Sequence, residues 1–255
     1  MNKINKDVDY RKMAGSARLV MLGESSHNPA IYKYEAIKAL RQLKAAGFTH
    51  FAIEMLPRSM QEKVEFYQRT GKGFGEIQKY FDDNWAWGYT VPAAYGELVK
   101  SARNIGLKIV ALDLTLDEMD SIDSSCPPEL AKEKDCLDSH SNRNQAWVQN
   151  ISTILKQASN NRVIAFMHRW HALRATPYQE GLDTLVVKEG ISKIRYIDFI
   201  GGIACYSKRS CEGLSDEQGR LKSEYFYRES TSFETAIKTY QVHLPEKNLM
   251  LEGTK

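Results

Sequence analysis

The sequence lacks any long apolar run. No stretch approaches the roughly 18–20 consecutive apolar residues of a membrane-spanning helix, so no membrane span is expected. An excess of one charge is lacking too. Thirty-five Lys and Arg stand against 32 Asp and Glu, a net charge of +3, with no dense basic run. A nucleic-acid partner would leave a basic stripe, and none is seen. Cysteine is sparse: Cys126, Cys136, Cys205 and Cys211. None forms a CxxC pair, which argues against a structural zinc site. Two disulfides, or free thiols of a cytosolic protein, both fit that count. The basic opening "MNKINKDVDYRKMAGSARLVML" falls short of the about 7–15 apolar residues that a secretory signal carries. A cytoplasmic location is therefore expected, although export without a signal would leave no trace. No GxSxG nucleophile motif occurs.

What is present is an α/β rhythm. Five short apolar runs read as strands: "RLVML" (18–22), "HFAIEM" (50–55), "KIVALDL" (108–114), "RVIAFM" (162–167) and "IRYIDFI" (194–200). They are continuously apolar rather than alternating, as in parallel strands covered on both faces. Helical patterns separate them, over Ile31–Ala46, Pro57–Arg69, Phe74–Asp82, Pro92–Asn104, Arg143–Ala158 and Asp183–Lys188. The first shows Tyr34, Ile37, Leu40 and Leu43 along one face, with Gly47 placed to cap it. The expected architecture is a single α/β domain over 1–255, a mainly parallel sheet with helices on both faces. Polar stretches at 115–141 and 206–222 read as inserted loops. The C-terminal "SEYFYRESTSFETAIKTYQVHL" reads as one more strand and a short helix.

Sites in open α/β sheets lie beyond the carboxyl ends of the strands. The first strand runs into Glu24 and His27; the second carries Glu54; the third ends near Asp113; the fourth runs into His168, Arg169 and His171. A carboxylate inside "HFAIEML" is costly to bury without a partner, and His27, His171, Arg58, Arg143 and Arg169 are candidates for that role. Taken singly, a histidine after a strand is more often structural, and Asp113 also suits a simple cap of the next segment. Convergence of acids and imidazoles on one edge is the stronger signal. It suits acid–base catalysis on a water. It also suits a divalent metal held by His27, Glu54 and His171. Trp85, Trp87, Tyr89 and Tyr95 read either as packing residues or as the lining of a flat apolar pocket.

These residues resemble a known superfamily, that of the ChaN-like haem-uptake proteins, the erythromycin esterases and the Tiki/TraB proteases. "LGESSH" is similar to its GExxH opening, and "FAIEM" to its second-strand glutamate. "DDNWAWGYTVPAAYGELVKSARNIGLKIVALDL" resembles the ChaN branch most. "SNRNQAWVQNI" resembles the helix bearing an Arg followed by Asp or Asn, and "VIAFMHRWHAL" the strand ending in GxxH. The resemblance implies a site of Glu24, His27, Glu54, Arg143 and His171. In the esterase branch it implies a His that activates water against an ester, in the protease branch a divalent metal, and in the ChaN branch haem. His168 departs from the pattern, standing where the family tends to have Gly. The chain is also shorter than a typical erythromycin esterase, and the lipoprotein signal common among ChaN-like proteins is not seen. The expected function is a hydrolase acting on a small-molecule or peptide ester or amide. A ligand-binding protein without turnover and a toxin- or effector-like domain are the alternatives.

Overall fold

The computed structural model describes residues 4–126, 139–173, 180–214, 224–231 and 235–246. In chain order the elements are α1 Tyr10–Ala14, β1 Leu19–Glu24, α2 Ala30–Ala45, β2 His50–Pro57, a 3-10 turn Arg58–Met60, α3 Gln61–Thr70, α4 Phe74–Asn84 and α5 Val91–Asn104. There follow β3 Lys108–Asp113, α6 Leu116–Ser125, α7 Ser139–Gln157, β4 Val163–His168, α8 Arg169–Ala172, α9 Leu182–Lys188 and β5 Ile194–Gly201. The chain then forms β6 Ile203–Ser207, β7 Ser210–Gly213, β8 Phe226–Ser230 and β9 Lys238–Leu244.

Seven strands form one sheet in the order β3-β2-β4-β1-β5-β9-β8. Every pair is parallel except β8–β9 at the edge. The α/β architecture is thus as expected, and all five expected strands are present. Their apolar runs are continuous because both faces are covered. Val20, Leu22, Phe51, Ile53, Ile164 and Phe166 point to one core, shared with α1 to α5. Their neighbours Leu19, Met21, Ala52, Val163, Ala165 and Met167 point to the other, against α7 and α9. The pleat's period of two divides each run between two cores.

Three expectations need correction. The segment 115–141 is not all loop: α6 occupies Leu116–Ser125. Its start is written in "TLDE", where Thr115 accepts from Glu118 N and the Glu118 carboxylate accepts from Thr115 N. That is a capping box. Residues 127–138 of this segment lie outside the described residues. The stretch 206–222 contains part of the β6–β7 hairpin, closed by a Cys205–Cys211 disulfide; residues 215–222 lie outside the described ones. Cys126 is disulfide-bonded as well, so the free-thiol alternative does not hold for these residues. The C-terminal part supplies two strands, β8 and β9, where one strand and a short helix were expected. Residues 232–234 between them lie outside the described residues.

A local irregularity at the carboxyl end of β2 shapes the mouth of the sheet. Ile53 pairs with Ala111, but the next pair is Pro57 with Asp113, so β2 bulges over 54–56. Pairing of β2 with β4 stops at Ile53 and Phe166. Bulges of this kind re-aim side chains near strand ends. Here the bulge frees the ladder around Glu54 and leaves the His168 N–H without a strand acceptor. The Glu54 carboxylate takes that N–H instead, at 2.6 Å.

Candidate functional site

Glu24 ends β1 and is fully buried. Just before it, Gly23 lies against β5; a Cβ there would meet the Tyr196 hydroxyl at 2.1 Å. The glycine of the GExxH stretch therefore allows close strand packing. Glu24 Oε1 accepts from Tyr95 O–H at 2.8 Å and lies 2.5 Å from His27 Nδ1. Its other oxygen, Oε2, is 2.7 Å from Lys33 Nζ. Lys33 is itself fully buried on α2 and donates to the carbonyls of His27 and Pro29 at 2.6 and 3.3 Å. Burial pushes the Glu24 carboxyl up, but the charges of Lys33 and His27 outweigh it and bring its pKa down to about 2. Glu24 is thus an ionised acceptor, and His27 donates its Nδ1–H. Nε2 is left as the nitrogen for proton transfer.

Glu54 occupies a different setting. Its Oε1 accepts from the Arg143 guanidinium at 2.9 Å. The same guanidinium binds Asp113 twice, at 2.7 and 2.9 Å. Burial raises the pKa of both acids, and the one cation they share does not cancel it. His27 Nε2 is 4.0 Å and His171 Nε2 3.6 Å from Glu54 Oε1. The His171 ring is fixed from behind, since Asn144 Oδ1 lies 2.7 Å from Nδ1. The Asn144 amide N–H is given to Glu180 O, so its oxygen must accept, and His171 carries the Nδ1 proton. Burial, with Arg143 nearby, holds the His171 pKa well below its usual value. Its Nε2 is an acceptor, so the ring cannot serve as the electrophile that a protonated His171 would have been.

The residues expected at the strand ends divide into separate sets. Glu24, His27, Glu54, Arg143, Asp113 and His171 form a connected core. His168 lies beside it, its ring 4.8 Å from that of His27; burial and the nearby His27 bring its pKa down to about 4. Arg169 turns to Asp198, which it meets at 3.1 and 2.5 Å, and which also accepts from Tyr196 O–H. Arg58 pairs with Glu118 at the surface. Asp113 does not cap α6, a task that falls to Thr115. Trp85 and Trp87 pack edge-on to His27, with centroids 4.9 and 5.1 Å away.

Three further residues belong to this site although no strand end points to them: Lys33, Tyr95 and Asn144. Lys33 does leave a signal in the sequence, because with Ala36, Ile37 and Leu40 it lies on the buried stripe of α2. The expected face is buried too, with Ile37, Leu40 and Leu43 inside and Tyr34 half-exposed against the same core. A lysine among apolar positions at helical spacing calls for a buried anion.

A metal at His27, Glu54 and His171 does not fit this geometry. Among the described residues no group of three His, Cys, Asp or Glu is arranged to hold an ion. The Arg143 guanidinium already binds Glu54 Oε1, placing a positive charge where the ion would sit. Haem fits this mouth poorly as well. Its propionates need cations, and Lys33, Arg143 and Arg169 are each bound to carboxylates.

Solved structures show where this fold recurs. The chain superposes on the type III effector HopBA1 with a TM-score of 0.59 at 14% identity, covering 97% of this chain and 98% of that one. An erythromycin esterase mutant, EreC in its open conformation, matches with a TM-score of 0.60 at 11% identity over 92% of each chain. A structure of cofacial heme binding to ChaN of Campylobacter jejuni matches with a TM-score of 0.51 at 15% identity, over 74% of this chain and 84% of that one. At these identities the likeness is one of fold. No curated protein sequence matches the chain. Among the described residues no helix is long and apolar enough to cross a membrane. The family model described as "Haem-binding uptake, Tiki superfamily, ChaN" matches residues 11–180, the part that carries every residue of the core site, and the chain belongs to that family.

Proposed function

We propose that the protein is a hydrolase in which His27 activates a water against an uncharged ester or amide carbonyl. The observation that carries this reading is the meeting of acceptors: the Nε2 atoms of His27 and His171 both face Glu54 Oε1, at 4.0 and 3.6 Å. Acceptors this close need a shared donor, and a water molecule supplies two O–H groups to such a point. His27 Nε2 takes the water proton as hydroxide adds to the carbonyl. The Nδ1–H bond to ionised Glu24 stabilises the imidazolium that forms, and the same nitrogen that took the proton, Nε2, then returns it to the leaving group. Arg143 positions Glu54 and does not act as a free anion binder, since it spans two carboxylates.

The names of the similar structures support a range of roles. One is an esterase, one binds haem and one is an effector. The hydrolase reading rests on the paired charges of this mouth, which leave haem's propionates poorly served. Paired cysteines are a feature of oxidising compartments, which speaks for export rather than the cytoplasmic location expected from sequence. An ester and amide panel with wild type and His27→Ala tests the activity. General-base removal is expected to lower kcat/KM by about 10²–10⁴-fold, with the unfolding midpoint nearly unchanged. Equal rates for the two proteins would sink the proposal.

A further inference from the structure

The chain has four tryptophans, and every one of them packs on a histidine of this mouth. Trp85 and Trp87 lie against His27, Trp147 against His171 with centroids 4.4 Å apart, and Trp170 against His168 at 5.1 Å. Tryptophan spread by core packing alone would be found at both ends of the sheet. Two of the four leave more than half of their surface in solvent: Trp87 is 54% exposed and Trp170 63%. Between them runs a line of planar rings, Trp87–His27–His168–Trp170, with successive centroids 5.1, 4.8 and 5.1 Å apart. The general base thus sits inside a row of rings that meet edge-on or tilted, and the two outer members are open to solvent.

The turn that carries Trp87 is built for this position. Gly88 packs under Asn28 and the β6–β7 hairpin; a Cβ would meet Asn28 O at 2.8 Å and Cys205 O at 3.3 Å. The Tyr89 N–H donates to Cys205 O at 2.6 Å. Thr90 holds a φ of +66°, the one positive value at a non-glycine among the described residues. A β-branched residue in that region is strained. The turn is therefore held in place from three sides while its Trp87 ring stays in water.

Charge completes the picture. The cations of this mouth among the described residues are already matched: Lys33 with Glu24, Arg169 with Asp198, Arg143 with Glu54 and Asp113. A carboxylate or phosphate on the ligand would lose its hydration and gain no partner from these groups. An ammonium would find carboxylates that already hold a cation: Glu24 has Lys33, and Glu54 and Asp113 share Arg143.

The geometry points to an uncharged ligand with a flat aromatic system that lies along this row and packs on Trp87 and Trp170, so that its ester or amide carbonyl lies over His27. This rests on the hydrolase reading for the carbonyl but not for the ring. The test uses wild-type protein, with spectra recorded before appreciable turnover, and the four indole N–H signals in a proton–nitrogen NMR spectrum. It is titrated with 2-naphthamide, with the 2-naphthoate anion, with 2-naphthylmethylammonium, and with haemin as a flat dianion. The expected result is saturable binding of the amide that moves the Trp87 and Trp170 signals. Naphthoate and the ammonium should bind at least about tenfold more weakly. Trp87→Ala and Trp170→Ala should each weaken the amide by about tenfold, the worth of one lost stacking face. Both truncations remove exposed rings, so folding is not at stake. Tighter binding of naphthoate, the ammonium or haemin overturns the proposal, and so does amide binding that leaves both signals in place. If the ring binds while wild type leaves naphthyl esters intact, the hydrolase reading fails and this inference stands. If esters are cleaved and the amide does not bind, the reverse holds.

Discussion

Two glutamates end neighbouring parts of the same sheet, both are buried, and their carboxyls are driven in opposite directions. Glu24 is brought down to about 2, whereas Glu54 is raised above its ordinary value. Burial acts on both in the same sense, so burial cannot be the difference. The ratio of cations to carboxylates is. Glu24 has Lys33 to itself and His27 beside it. Glu54 must share Arg143 with Asp113. One acid is a fixed anion that orients a ring; the other sits where a proton can come and go. A pair of acids pushed apart by their surroundings is how a single fold separates an orienting group from a titrating one.

The largest effect that would break this comparison is on stability at Glu24. Glu24→Gln leaves Lys33 as a buried charge with no anion, which costs about 3–5 kcal/mol. Burial lowers the Lys33 pKa and Glu24 holds it up, so in the variant the lysine sheds its proton more readily and part of that loss should be recovered as pH rises. Urea unfolding at pH 7 and pH 10 measures both. A loss under about 1 kcal/mol at pH 7 would mean that the Glu24–Lys33 pair is not what holds this end of β1. The wild-type sign follows from linkage. A carboxyl depressed in the fold adds stability above its unfolded pKa and loses it as pH falls through that value towards about 2.

The same substitution at Glu54 should be milder. Glu54→Gln keeps an acceptor for the His168 N–H and relieves the competition for Arg143, so about 1–2 kcal/mol is expected at pH 7. Its pH dependence should run the other way. A raised carboxyl makes the folded state hold more protons than the unfolded one, so wild-type stability from this group increases as pH falls through the folded pKa towards the unfolded value. The gap between wild type and Glu54→Gln should therefore widen in favour of wild type on going from pH 7 to pH 5. A gap that narrows would show that Glu54 is ionised and stabilising, as Glu24 is.

The contrast between the two acids also marks what could be read from sequence. Glu24, His27, Glu54, Asp113, His168 and His171 were all legible because strand ends are legible. A run buried on both faces stops where its first polar residue appears, and parallel pairing brings those stops to one edge. What decides the chemistry was less legible, because much of it comes from helices, where only the resemblance pointed to Arg143 and the Asn beside it. Lys33 reaches Glu24 from α2, and Tyr95 reaches it from α5, 71 residues away along the chain. Asn144 arrives from α7, behind His171. Position within a helix states which face a residue takes but not what it meets. The β6–β7 hairpin was hidden for a related reason. Its "CYSKRSC" segment is charged and exposed, so only the cross-strand pairing of Cys205 with Cys211 reveals it. Edge strand β8 alternates buried and exposed residues imperfectly, which blurs the period that would have identified it.

The sharpest form of the comparison leaves Glu54 untouched and changes its competitor. Asp113→Asn keeps an oxygen for Leu114 N–H and Trp147 N–H but removes one charge and turns an amide toward the Arg143 N–H that Oδ2 accepts from, so a loss of about 1–2 kcal/mol is expected. Arg143 then serves Glu54 alone, the position that Lys33 holds towards Glu24. If the cation ratio sets the direction, the Glu54 carboxyl must move down in this variant, and carbon NMR titration of that side chain in both proteins reads it directly. If the signal titrates at the same pH in both, burial alone holds Glu54 up and the Asp113 charge is irrelevant to it. The difference between the two glutamates would then lie in depth rather than pairing.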